Sequence, residues 1–496
     1  MTTRRLTLLL GALAAASMLM GAGAERKQIA PRIETGAEIK NRLNLSGRTG
    51  WMLIDLDTGQ VLDAHNADIA FAPASVAKLP TAAFALDALG PTHRFETQVL
   101  ATAPVAGGRI DGDLILRGGG DPELDTDALA DLAASLRAKG LSRISGQLIA
   151  DGTAITQVAE IDRDQAADAS YNASVSGLNL NFNRVHVKWD ARKGKGTLSV
   201  EAEAERLSPQ VDVVRVAVAP AKGRPLFSLT TAGGRESWVM AQEAYRGRAA
   251  RWLPVKRPEP YAGEVFRTVA RSAGVNLPAP TIGQAPEGAT LLTVQRSRPL
   301  GDILRRMLRY STNVTAEVTG AAATRAVGVE APTLAHSADI MNAWAASVAG
   351  FPIGDPGFRF ENHSGLSTES RVSPRRMVEL LAALGRRSAD PGARHGRLPG
   401  GIAGYLRVHN VAAKDVPLDY DRLSVVAKTG TMNFIRGLAG YIATPRGKRL
   451  AFAIFSNDLA RRAPGGQRVN RRWMGRAKGL ERALIRSWVM RVDGLG

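Results

Sequence analysis

The strongest constraint on how this chain folds is a change of period in its middle. From Pro73 to residue 91, and again from Pro299, apolar residues recur at helical spacing, whereas residues 92–285 read as short alternating strands. Glycines punctuate that stretch at Gly107-Gly108, Gly112, Gly118-Gly119-Gly120 and Gly146. A segment this long is no linker, so it reads as a β-rich domain, or a pair of domains, inserted into a frame of a different kind. One helix, around Thr126 to Lys139, is predicted inside it.

The frame opens with a hairpin. Trp51 to Asp57 alternates, Asp57-Thr58-Gly59 supplies the turn, and Val61 to Ala64 returns. From Ser75 to Leu89 the spacing of Ala77, Leu79, Ala82, Ala85 and Leu86 predicts a buried helix that stops at Gly90-Pro91, with Pro80 unusual near its first turns. After the insertion, helices are predicted over Leu300 to Arg309, Thr315 to Val327, Thr333 to Ala349 and Pro374 to Gly385. Strands follow at Val425 to Ala427, Gly437 to Ala443 and Leu450 to Ser456, then a last helix from Trp473 to Val489. That helix carries Trp473, Ala477, Leu480, Leu484 and Trp488 on one stripe, with Arg472, Arg476, Arg482 and Arg486 elsewhere. The pattern suits a closing helix packed on the sheet, and its basic face also suits peripheral contact with an anionic membrane surface.

Arg4 and Arg5, an uncharged apolar run from Leu6 to Met20, and Ala22-Gly23-Ala24 make residues 1–24 a cleavable signal peptide. The run is too short for a stop-transfer helix, so a periplasmic, soluble mature chain of 472 residues and net charge +17 is expected. With no cysteine in 496 residues, disulfides, thiol nucleophiles and thiolate metal ligands are excluded and the core must carry stability. No two of the seven histidines lie closer than 14 residues, which excludes local metal-binding signatures. The 65 Lys and Arg against 46 Asp and Glu steer the chain toward anions without choosing among them.

Three short motifs carry chemistry. Of all the serines, only Ser75 has a lysine three residues later, in Ser75-Val76-Ala77-Lys78. At a helix start these side chains share a face, so the Lys78 amine reaches the Ser75 hydroxyl, and apolar neighbours lower the pKa it needs as a base. Lys78 is also the only charge from Phe71 to Leu86, where a surface lysine is not expected. Lys428-Thr429-Gly430-Thr431, the only KTG, offers a cation, hydroxyls and a close backbone approach to a carboxylate from a strand edge. Ser311-Thr312-Asn313 falls in the break between two helical patterns, which favours it over the similar Ser170-Tyr171-Asn172.

The order SxxK, SxN, KTG marks the penicillin-recognising serine enzymes. From about residue 50 to 490 the chain resembles the low-molecular-mass class C penicillin-binding proteins, the DacB-type D-alanyl-D-alanine carboxypeptidases/endopeptidases. Ser75 and Ser311 are 236 residues apart, and that long insertion distinguishes the subfamily from compact β-lactamases. Pro73-Ala74, Gly118-Gly119-Gly120-Asp121-Pro122, Ala316-Glu317, Ser364-Gly365-Leu366-Ser367, Val372-Ser373-Pro374 and Gly437-Leu438-Ala439-Gly440-Tyr441 also fit the pattern and read as architectural. Two places depart from it: Asn362-His363 stands where an acidic-Gly pair is usual, and Ala403-Gly404-Tyr405 where Asp-Gly-Thr is common.

The resemblance implies an α/β (α+β) transpeptidase fold, an antiparallel sheet flanked by helices. The catalytic domain would comprise residues 25–91 and 286–496, and the insertion 92–285. It implies acyl transfer without cofactor or metal, on peptidoglycan stem peptides, with β-lactams as covalent inhibitors and no nucleic-acid partner. Ser75 would be the nucleophile, Lys78 its base and Ser311 the proton relay. Asn313 would bind the substrate backbone, and Lys428, Thr429, Gly430 and Thr431 its carboxylate side, with the N–H groups of Ser75 and Thr431 as oxyanion hole. The competing readings are a β-lactamase or esterase of the same superfamily, and a non-catalytic cell-wall-binding protein.

Overall fold

The computed structural model describes residues 33–192, 196–220, 226–232, 235–387, 398, 400–413, 418–462 and 470–494; the expected signal peptide lies outside them. The frame is a six-stranded antiparallel sheet in the order Arg407–Val408, Ser424–Met432, Ile435–Ala443, Arg449–Asn457, Arg48–Asp55, Val61–His65. The N-terminal hairpin therefore completes a C-terminal meander, with Arg48 opposite Asn457 and Asp55 opposite Leu450.

Alternation along the strands gives the sheet two buried faces. Met52, Ile54, Ala439, Ala451, Ala453 and Phe455 face a helical layer of Lys78–Leu89, Leu300–Tyr310, Asn313–Ala326, Leu334–Ala349 and Pro374–Arg387. The small alanines let that layer approach closely. Trp51, Leu53, Leu438, Phe452 and Ile454 face the other way, against Gly36–Leu43 and the last helix, Arg471–Val492. All five residues of the predicted apolar stripe on that last helix, Trp473 to Trp488, are buried there. Only its basic face remains for solvent, so the stripe has no free apolar surface to lay on a membrane. Among the described residues no helix is long and apolar enough to cross one.

The insertion has its own core and its own sheets. Glu96–Ala101, Leu114–Gly118 and Leu148–Asp151 form the centre of a five-stranded sheet whose edge strands are Pro280–Ile282 and Thr290–Arg296. Thr290–Arg296 pairs antiparallel along Glu96–Ala101, so the inserted sheet runs past the expected boundary at 285. A second correction concerns helices: besides Thr126–Ala138, the insertion contains Pro258–Ser272. Its two prolines, Pro258 and Pro260, lie in the first turn, where a missing N–H costs nothing, and Tyr261, Ala262, Val265, Phe266, Val269 and Ala270 form its buried face. Ile155, Ile161, Ala173 and Val175 of the insertion pack on Val314, Val318 and Ala321 of helix Asn313–Ala326, which fixes the insertion against the helical layer.

Candidate active site

The nucleophile segment begins as a turn of 3-10 helix, Ala74–Ala77, and continues as Lys78–Leu89. Pro80 falls in the first α-turn, where it is tolerated. Ala74 adopts a left-handed φ of 47°, an unfavourable conformation for a residue with a Cβ. Its carbonyl is pressed against Gly365, itself at φ 71°, where any side chain would overlap that oxygen. Gly430 of the KTG strand comes equally close to the Pro73 carbonyl. The turn that presents Ser75 is thus clamped by backbone from two other segments.

Lys78 is fully buried one turn after Ser75. Its Nζ donates to Ser75 Oγ at 3.0 Å, Asn313 Oδ1 at 2.7 Å and the Ser364 carbonyl at 2.8 Å. These use all three ammonium protons. Burial drives the Lys78 pKa well below the usual lysine range, the charge of Lys428 pushes the same way, and Glu317 opposes them. Glu317 is buried behind the lysine and accepts from the His363 and Ser364 N–H groups at 3.0 and 2.8 Å. Burial raises its pKa, and those hydrogen bonds counter the shift.

Ser311 occupies the left-handed position that ends helix Leu300–Tyr310, and Asn313 begins the next helix. The opposite wall is the strand Ser424–Met432. Its neighbour Arg407–Val408 pairs with Val426 and Ala427, and among the described residues no strand lies beside the edge from Lys428 onward. Lys428 Nζ donates to Ser311 Oγ at 3.0 Å and to the Thr429 carbonyl at 2.7 Å. Burial, then the nearby Arg436, lowers the Lys428 pKa to about 7. Lys428 and Gly430 face the helical layer, while Thr429 and Thr431 share the other face.

All eight predicted site residues, Ser75, Lys78, Ser311, Asn313, Lys428, Thr429, Gly430 and Thr431, lie at the junction of these walls. Tyr171 of the rejected SxN motif is there too, in another capacity: its carbonyl accepts from Asn313 Nδ2 at 3.0 Å. Asn172 is occupied within its own loop, exchanging hydrogen bonds with Asp162. Sequence reasoning missed three contributors. The Ser364 carbonyl and Glu317, read as architectural, bear directly on Lys78, and Arg436 donates to Thr431 Oγ1 at 2.7 Å.

The two departures from the family pattern also have physical accounts. His363 is buried, bonded through Nε2 to Ser337 Oγ at 2.8 Å, and packed where a Cβ on Gly320 would overlap its ring. Asn362 Oδ1 accepts from the Gly365 and Leu366 N–H groups and holds the turn at Ser364. Tyr405 packs on helix Leu300–Tyr310 under the Arg305 guanidinium.

A serine with a buried lysine partner, a second lysine on a strand edge, and a hydroxyl between the walls define a serine peptidase of the penicillin-recognising type. The sequence model of the "D-Ala-D-Ala carboxypeptidase 3 (S13) family" matches residues 37–472, and the chain belongs to that family. It is 25% identical over 455 residues to the D-alanyl-D-alanine carboxypeptidase DacB of Haemophilus influenzae, covering 86% of this chain and 88% of that one. It is 29% identical over 451 residues to a D-alanyl-D-alanine carboxypeptidase of Actinomadura sp., covering 84% and 79%. The fold is that of penicillin-binding protein 4 (DacB) from Haemophilus influenzae, with a TM-score of 0.73 at 21% identity over 92% of this chain and 99% of that one. The same relative has been solved with a bound β-lactam, and superposes with a TM-score of 0.71 at 22% identity, covering 91% and 98%. The chain is a serine D-Ala-D-Ala carboxypeptidase of the S13 type.

Proposed function

We propose that the enzyme works in the periplasm and cleaves the D-alanyl-D-alanine bond of peptidoglycan stem peptides through an acyl-enzyme on Ser75. Ser75 Oγ attacks the carbonyl carbon of the penultimate residue and gives its proton to the neutral Lys78 amine. The oxyanion lies between the N–H groups of Ser75 and Thr431, an interaction worth roughly 3–4 kcal/mol per donor in serine hydrolases. Ser311, backed by Lys428, passes a proton to the departing D-alanine nitrogen as the C–N bond breaks, and takes up in its place the proton that Lys78 received from Ser75. Asn313 holds the substrate backbone, and Lys428, Thr429 and Thr431 receive its carboxylate beside Gly430. Water then hydrolyses the ester and restores Ser75, with no cofactor in the cycle. β-Lactams acylate the same serine, and the open strand edge admits cross-linked as well as linear peptides.

The observation that carries this reading is the 3.0 Å contact between Ser75 Oγ and a fully buried lysine amine. Fluorescent penicillin, electrophoresis under denaturing conditions and a chase of the label test it. The expected result is a persistent band on the native chain and none on Ser75→Ala. Equal labelling of the variant sinks the assignment, and rapid loss of the label with destruction of the drug indicates a β-lactamase instead.

A further inference from the structure

The chemistry above leaves one buried cation unused. Arg436 interrupts the otherwise uncharged strand Ile435–Ala443, where it is 7% exposed and stands directly opposite Thr431. Its Nε and Nη2 donate to Glu481 of the last helix at 2.7 and 2.8 Å, and Nη1 donates to Thr431 Oγ1 at 2.7 Å. Glu481 is 4% exposed.

A buried ion pair is poor evidence of a stabilising role, because desolvating two charges offsets most of their attraction. The third hydrogen bond makes this pair informative. It reaches from the interior to a threonine on the exposed strand edge. With one oxygen lone pair occupied by Arg436, Thr431 has its own O–H left to donate from the exposed strand edge. Behind Thr429 and Arg436 lies a cavity of about 420 Å³. Arg407, His409, Lys478 and Arg482 also line it, and the one carboxylate among the described lining residues, Glu481, is held by Arg436. Arg407, Lys478 and Arg482 meet no further carboxylate among the described lining residues, and this clustered positive charge favours an anion at the strand edge.

We propose that Arg436 is a positioning residue for the terminal carboxylate of the substrate. It fixes Thr431 as a hydrogen-bond donor and places a buried positive charge one bond behind it, and thereby sets a preference for ligands that end in a free carboxylate. The inference rests on Thr431 lying in the substrate cleft, as proposed above.

Acylation by benzylpenicillin and by its methyl ester, which lacks the carboxylate charge, provides the test. Arg436→Gln is combined with Glu481→Gln, so that no carboxylate is left buried and unpaired. The acid should acylate the double variant roughly 10- to 100-fold more slowly, the range for a hydrogen bond to a charged group, while the ester is nearly unaffected. Equal losses on both compounds, or none on either, overturn the proposal. Should the double variant fail to fold, Thr431→Val keeps the ion pair and reads the same acid-to-ester ratio; an unchanged ratio overturns it as well. Where both fold, adding the double change to Thr431→Val should cause no further loss of selectivity. If the native chain is not acylated at all, the proposed reaction fails on its own. Calorimetric binding of an N-blocked D-Ala-D-Ala peptide and its C-terminal amide then reads Arg436, and an acid-to-amide preference that survives in the double variant overturns it.

Discussion

Lys78 and Lys428 stand on opposite walls of one cleft, both sealed from water, and their surroundings differ. Lys78 meets three acceptors, with the Glu317 carboxylate behind them. Lys428 meets a hydroxyl and a carbonyl, and its nearest charged influence is another cation, Arg436. The helical wall is arranged to move a proton, since a lysine among acceptors can surrender a proton and keep its place. In the proposed reaction the strand wall holds an anion, since Lys428 has a hydroxyl and a carbonyl but no carboxylate among its hydrogen-bond partners. The difference shows that burial alone does not assign a role to a lysine; the charges behind it do.

Exchanging charge for shape on each wall should break the symmetry of the pair. Lys78→Met removes the base and should slow penicillin acylation by about 100- to 10,000-fold, with Lys78→Arg no better, because a guanidinium does not deprotonate. Lys428→Arg keeps a cation and should recover much of the acylation rate lost in Lys428→Ala. Stopped-flow or gel-based acylation rates check both, and equal rescue by arginine at the two positions would refute the distinction.

The pH dependence should sharpen it. In the proposed reaction Lys78 must be neutral to accept a proton and Lys428 charged to bind the carboxylate, so kcat/KM should rise as Lys78 deprotonates and fall as pH passes through about 7, where Lys428 loses its charge in the free enzyme. Lys428→Arg should move that falling limb to much higher pH. A limb that stays at neutral pH in the variant belongs to another group.

The smallest expected effects concern the support behind the helical wall. Gly320→Ala drives a methyl group into the His363 ring and should cost about 1–3 kcal/mol of stability in denaturant titration, while the folded fraction still labels. Burial depresses the His363 pKa to about 3, below its value in the unfolded chain. The unfolded state therefore binds the extra proton between roughly pH 6.5 and 3, and stability is lost as pH falls through that window. Thermal unfolding of the native chain and His363→Asn from pH 7 to 4 checks the sign: the variant's melting temperature should vary less.

Much of the site was legible because its chemistry sits in short motifs. A lysine inside an apolar helix and a KTG in a strand are local anomalies, and the order of the motifs supplied what spacing alone did not. The frame's helices and strands were also visible in periodicity. The helix Pro258–Ser272 was hidden by its strand-rich neighbourhood, although its proline start and apolar spacing marked it. The Gly36–Leu43 helix passed unnoticed despite the capping box formed by Thr35 and Glu38. Arg436 and Glu481 were each visible as a lone charge among apolar residues or a lone acid among arginines. Their pairing belongs to the packing of the last helix on the sheet, which no local pattern records. The same holds for Gly320 and His363, whose fit is a matter of tertiary shape.

The sheet that joins the first hairpin to the last strands has a consequence for how the enzyme comes into being. Arg48–Asp55 finds its partner only when Arg449–Asn457 has been made, and the Ser75 turn is clamped only once Gly365 and Gly430 are in place. The insertion draws on contacts nearer in sequence and is free to fold while the rest of the chain is still arriving, whereas the catalytic frame waits for pairings of the longest range. A growing chain thus carries the nucleophile without the clamps that position it. Wall-cutting activity is switched on by completion of the polypeptide itself.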